Sequence, residues 1–321
     1  MLRKLVALGA VVALTLTACG GDAAEGDGSH KIGIATIVSH PALDAVADGF
    51  KEAMAEAGYA EGEQLEIDFQ NAQGDQSTIT NIANTFASSD YDGFLAIATP
   101  TAQALANAIT DRPIVFGAVT DPVAAGLTQS WDAPDGNVTG VSDMNPMEAQ
   151  LDLIKEVAPD VATVGIVYSS GEVNSEVQVT EAEKAAESRG IEIVTATVTN
   201  SSEVQQAAES LDVDAYLLPT DNTVVSAAES LVQVAEQKSV PVFASDESTM
   251  ERGASAGLSV NYTQQGRDAA AVLLKMLDGT PASEIPVETQ KEFDLFVNEA
   301  AATAQGIELP QAVIDRATKE F

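Results

Sequence analysis

A strand, a polar turn and a helix occur twice in this chain, and no other feature constrains its fold as much. Residues 92–109 read DGFLAIATPTAQALANAI, and about 120 residues later residues 214–235 read DAYLLPTDNTVVSAAESLVQVA. Each copy is a short apolar run closing on Thr and Pro, then a second threonine (Thr101, Thr223) and a segment of helical periodicity. Each then meets a proline and a new apolar run that ends on an aspartate, Asp121 in the first copy and Asp246 in the second. Two copies of one α/β unit predict two similar lobes. Ligands of open parallel sheets sit beyond the carboxyl ends of the strands, so two such edges facing each other make a cleft.

The rest of the chain keeps the alternation. Strands are predicted at 32–38, 65–69, 93–98, 114–119 and 137–142, separated by helices that include 77–86. After Ser39, His40 and Pro41, the apolar residues Leu43, Val46, Ala47, Phe50 and Met54 recur at helical spacing up to Gly58. The pattern restarts at 161–168 and runs through helix 177–189, strand 191–198, helix 202–211 and strand 216–218. Strands 241–244 and 257–260, helix 264–277 and strand 293–297 complete it. Strands alternating with helices predict parallel sheets, here two Rossmann-like α/β lobes. The chain is expected to cross between them three times, near 142–146, near Tyr262 and near 284–291. That gives one lobe from 31–142 plus 263–284 and a second from 143–262 plus 285–321.

Residues 1–18 read as an export signal. Arg3 and Lys4 precede the uncharged run 5–16, which is short for a membrane span. Leu16, Thr17, Ala18 and Cys19 fit a bacterial lipobox, and Cys19 is the only cysteine, so no intrachain disulfide can form. An ordinary secretory signal with an incidental cysteine is the alternative. Residues 19–30, small and acidic after the thiol, are expected to tether the domains to the membrane. Lys and Arg total 15 against 49 Asp and Glu, a formal charge of −34, and that field repels nucleic acid.

Catalytic equipment is sparse. There are two histidines, His30 and His40, no GxSxG elbow, no phosphate-binding glycine loop and no histidine pair for a metal. No enzyme activity, cofactor or metal is expected. Polar residues at strand ends are more informative. Thr99 and Thr101, with the amides opening the next helix, suit an anion. Asp221 with Asn222 suits an ammonium group. Both sets would also serve as helix caps. One anion site facing one cation site suits a zwitterion, and only 5% aromatic residues argues modestly against a sugar, which is usually held by stacking. Ser39 and His40 from the first loop, Glu172, Asn174 and Ser175 from its counterpart, and Asp121 and Asp246 are further candidates. Trp131 reads as part of an exposed connection.

Five ordered segments carry a resemblance. They are 39–44 (SHPALD), 121–127 (DPVAAGL), 137–143 (NVTGVSD), 172–175 (EVNS) and 219–224 (PTDNTV). Together they resemble the ABC transporter substrate-binding lipoproteins of the tryptophan/tyrosine type, over about residues 31–297. The resemblance implies a type I periplasmic-binding fold that closes on an aromatic amino acid, L-tryptophan, L-tyrosine or L-phenylalanine, and delivers it to an ABC permease. It implies that ligand is gripped by Thr99, Thr101, Ala102, Ser142, Asp143, Asn174, Ser175, Asp221 and Asn222, in an extracytoplasmic monomer anchored through lipid on Cys19. Related proteins take other small solutes, so a sugar, a nucleoside or a sensory role with the same fold are the alternatives.

Overall fold

The structure is a computed structural model that describes residues 29–321; the expected signal, Cys19 and most of the tether lie outside them. The chain begins with β1 (His30–Thr36), α1 (Pro41–Glu56), β2 (Leu65–Asn71), α2 (Gln76–Ala87), β3 (Gly93–Ile97), α3 (Thr99–Ala108), β4 (Ile114–Val119) and β5 (Val138–Ser142). It then crosses to α4 (Met147–Val157), β6 (Thr163–Ser169), α5 (Val173–Glu187), β7 (Glu192–Val198), α6 (Val204–Ser210), β8 (Ala215–Leu218) and α7 (Asn222–Val225). The same lobe continues through α8 (Ala228–Lys238), β9 (Val242–Ala244), α9 (Glu247–Glu251) and β10 (Ala256–Ser259). A second crossing leads to α10 (Tyr262–Leu277) and β11 (Glu288–Thr289), and a third to β12 (Asp294–Val297), α11 (Glu299–Ala304), α12 (Gln311–Ile314) and β13 (Lys319–Glu320).

Two sheets result, ordered β11-β5-β4-β3-β1-β2 and β13-β12-β10-β9-β8-β6-β7. Every pairing is parallel except β10 with β12. β3, β4, β5, β8 and β9 are buried along their whole length, as strands covered by helices on both faces must be. Phe50, Phe86, Phe94 and Phe116 fill the first core, and Tyr216 and Phe243 the second.

Four details differ from the sequence reading. His30 is not in a tether: it starts β1, paired with Leu65, because its ring packs at a tilt against Tyr59 and its backbone continues the ladder. Residues 288–289 pair with β5, so the third crossing follows Thr289 and this part of 285–321 joins the first sheet. Tyr262 opens α10 and packs in the first core, outside the second lobe expected for it. Trp131 is half-buried against the first core, and its carbonyl accepts from the Val287 amide, so it is not an exposed connection.

A buried glutamine fixes each return into a lobe. Gln265, in the first turn of α10, accepts from the Ala118 amide (3.0 Å) and donates to the Ser142 carbonyl (3.1 Å). Gln150, at the same place in α4, donates to the Leu258 carbonyl (2.8 Å) and the Ser245 hydroxyl (3.2 Å). Each satisfies backbone at the carboxyl ends of its sheet, where the ladder stops and buried polar groups would otherwise be stranded. α10 lies so close to α1 that a Cβ on Gly266 would stand 2.0 Å from the Val46 carbonyl oxygen, so only glycine fits there.

Candidate functional site

The carboxyl edges of both sheets converge on one interlobe cavity. Six of the predicted residues line it: His40, Asp143, Asn174, Asp221, Asn222 and Asp246. Leu43, Ala118, Thr220, Val225 and Tyr262 line it too and are not among the ligand contacts expected from sequence. Ser39, Thr99, Thr101, Ala102, Ser142 and Ser175 lie outside the lining. Ser39 is exposed and its hydroxyl donates to the Asp44 carboxylate (2.8 Å), tightening the turn into α1. Ser142 and Ser175 act one step back. The Ser142 hydroxyl donates to the Thr120 carbonyl (2.8 Å), and the Ser175 hydroxyl to Asp221 Oδ2 (2.6 Å).

Asp221 is fully buried at the start of α7. Oδ1 accepts from the Val224 amide (2.7 Å), and Oδ2 from the Ser169 amide (2.6 Å) and Ser175. It therefore caps the helix and lines the cavity at once. Burial, reinforced by the charge of Glu172, pushes its carboxyl up to about 7. Glu172 in turn gathers the loop before α7: it accepts from the amide (3.1 Å) and side chain (2.6 Å) of Asn222 and from the amide (3.0 Å) and hydroxyl (2.7 Å) of Thr223. Asn174 Nδ2 donates to the Thr220 carbonyl (2.9 Å) and to Glu172 (3.1 Å).

Across the cleft, Asp143 accepts from the Thr120 hydroxyl (3.0 Å) and the Tyr262 phenol (3.1 Å), and burial raises it to about 6. Thr120 and Thr220 approach to 3.5 Å, bridging the lobes. Asp246 caps α9, accepting from the Thr249 amide (2.9 Å) and hydroxyl (2.5 Å). Asp121, its counterpart in the repeat, instead turns away and accepts from the amides of Val123 (2.9 Å) and Ala124 (3.0 Å). His40 precedes α1 without capping it. Its burial lowers its pKa from the usual histidine value, against the opposing pull of Asp246.

Among the described residues, six buried side-chain polar atoms have no hydrogen-bond partner, and four of them belong to predicted site residues: His40 Nδ1, Thr99 Oγ1, Thr101 Oγ1 and Asn174 Oδ1. Orphaned buried groups are costly; those of His40 and Asn174 line the cavity, whereas the two threonine hydroxyls lie at the start of α3, outside its lining. Thr101 is not the helix cap that the sequence allowed. α3 starts at Thr99 behind Ala98, which has a positive φ of 75° and provides no side-chain cap. Ala118, in the cavity wall, is also forced to a positive φ of 54° where the β4–β5 register shifts. Non-glycine residues in that region are strained, and here both sit at the ligand edge of the first sheet.

The lining contains three carboxylates and no lysine or arginine. A cavity of that composition, between two lobes, is complementary to a small ligand bringing its own positive charge. The family profile described as ABC transporter substrate binding protein matches residues 31–321, and the chain belongs to that family. It is 40% identical over 271 residues to a tyrosine-binding protein of Clostridioides difficile, covering 84% of this chain and 79% of that one.

Two solved structures are similar over nine-tenths of the chain. An ABC domain from Streptococcus pneumonia in complex with L-Trp is 34% identical, with a TM-score of 0.88, over 91% of this chain and all of that one. A ligand-free, open substrate-binding protein with adhesive properties from Clostridium difficile is 40% identical but has a TM-score of only 0.70, over 91% and 99%. The better superposition goes with the lower identity.

Proposed function

We propose that this protein is the extracytoplasmic receptor of an ABC importer, and that it captures an aromatic amino acid by closing its lobes. One observation carries the ligand reading: the cavity gathers Asp143, Asp221 and Asp246 with no cationic side chain among its lining. The ligand's ammonium then supplies the missing counter-charge, with Asp221 as its main partner. Its carboxylate is proposed to go to the start of α3, which lies outside the lining but beside it, the Ala98 amide donating to the Gly117 carbonyl next to Ala118, and where the Thr99 and Thr101 hydroxyls are buried without partners. Leu43, Ala118, Val225 and the Tyr262 ring offer the apolar surface for the side chain. The tyrosine-binding and Trp-bound relatives support this choice over a sugar or nucleoside.

Contacts from both lobes favour the closed state, and closure is what the permease reads. No described helix is long and apolar enough to cross a membrane. The lipid on Cys19 is proposed to hold a monomer at the membrane, with the acidic segment before β1 as its tether.

The test is a thermal-shift screen against amino acids, sugars and nucleosides. A ligand bound only by the folded state raises the melting temperature, by an amount that grows with concentration over Kd. Shifts with aromatic amino acids support the reading, and shifts confined to sugars or nucleosides overturn it.

A further inference from the structure

Hydrogen bonds divide the polar lining of the cavity into two sets. One is centred on Asp221, with Asn174, Thr220 and Asn222, all held within the second lobe. The other is split between the lobes: His40 at the start of α1 and Tyr262 at the start of α10 face Asp246 at the start of α9, with Asp143 bonded to the Tyr262 phenol (3.1 Å). Asp246 is the foremost opposing charge felt by His40 and is also felt by Tyr262. The Thr120 to Thr220 approach at 3.5 Å joins the sets.

An ammonium group held at Asp221 leaves the second set without an occupant. That set is rich in acceptors. Asp246 and Asp143 are acceptors when ionised, and a neutral imidazole with its hydrogen on Nε2 offers Nδ1 as another. His40 Nδ1 is closed off from solvent and has no partner, although part of the residue remains exposed.

We propose that the His40 and Asp246 side of the cavity is a selectivity pole that accepts a hydrogen bond from the far end of the ligand's side chain. The ligand is then an amino acid with a phenol or indole, and phenylalanine is discriminated against. This rests on the reading of the cavity as an aromatic amino acid site. A site built to pair a ligand O–H or N–H rejects the analogue lacking it, because its own buried groups stay unpaired. Because His40 and Asp246 come from opposite lobes, the side-chain donor also contributes to closure.

Calorimetry on the purified protein with L-tyrosine, L-tryptophan, L-phenylalanine and O-methyl-L-tyrosine tests this. The hydrogen-bonding ligands are expected to bind at least about tenfold more tightly than phenylalanine and O-methyl-tyrosine. In His40→Phe that ratio is expected to shrink below about threefold, with phenylalanine the least affected ligand, and Asp246→Asn, which keeps a capping side chain, is expected to narrow it as well. Phenylalanine binding as tightly as tyrosine and tryptophan to the unaltered protein overturns the proposal whatever the variants do. So does an equal loss for all four ligands in a folded His40→Phe. Failure of every aromatic amino acid to bind the unaltered protein overturns the underlying reading of the site as well.

Discussion

Ligand affinity should weaken as the pH falls below neutrality, and Asp221 sets how far. Its carboxyl is pushed up to about 7 by burial and by Glu172, which belongs to the same lobe and keeps its place beside it when the lobes part. The folded protein therefore takes up a proton here before the unfolded chain does. Without ligand, this group favours folding more at pH 4 than at pH 7, and the advantage is lost as pH rises through about 7. The ligand works in the opposite direction. Its ammonium stays protonated over this range and needs the ionised carboxylate, so binding releases whatever proton Asp221 holds. With Asp221 at about 7, roughly three quarters is ionised at pH 7.5 and roughly 3% at pH 5.5, so affinity falls by up to about twenty-five-fold. Calorimetry in two buffers of different ionisation enthalpy measures both the affinity and the released proton. Asp221→Asn should bind at least about a hundredfold more weakly, with this dependence removed, because the ammonium loses its buried partner. Affinity that is flat from pH 7.5 to 5.5, or that rises as pH falls, would refute the pairing of ammonium with Asp221.

Two further substitutions separate binding from architecture. Thr101→Val keeps the shape and removes a hydroxyl that has no partner in the protein; it should leave the melting temperature unchanged or raised while weakening the ligand about tenfold, read by thermal unfolding and calorimetry. Gly266→Ala puts a Cβ 2.0 Å from the Val46 carbonyl oxygen where α10 meets α1; thermal unfolding should show a loss of about 2–3 kcal/mol, or several degrees.

The repeat at 92–109 and 214–235 made the two lobes legible, because parallel strands buried on both faces are continuous apolar runs and their helices keep a 3.6-residue period. The copies are less alike than their letters. In the first, Thr99 and Pro100 are already helical, whereas in the second Pro219 and Thr220 precede a helix that starts at Asn222 and breaks before Ala228. Asp221 and Asn174 were legible as polar residues beyond strand ends. Tyr262 was not, since a tyrosine opening an amphipathic helix looks like core, and only the second crossing, which brings α10 back to the first lobe, sets its phenol beside Asp143. The glutamines offered a signal: Gln150 and Gln265 each stand fourth in a helix that follows a crossing. Leu43, Ala118 and Val225 have ordinary apolar roles in sequence, and burial in a shared cavity is a long-range property that local pattern does not encode.

Removing one charge of the ligand at a time tests the central claim most directly. Calorimetry would compare L-tyrosine with 3-(4-hydroxyphenyl)propionate, which lacks the amino group, and with tyramine, which lacks the carboxylate. An acidic cavity without lysine or arginine predicts that the propionate binds at least about a hundredfold more weakly than tyrosine, and that tyramine loses less. Binding of the propionate as tightly as tyrosine would show that no ammonium is held at Asp221 and would contradict the account.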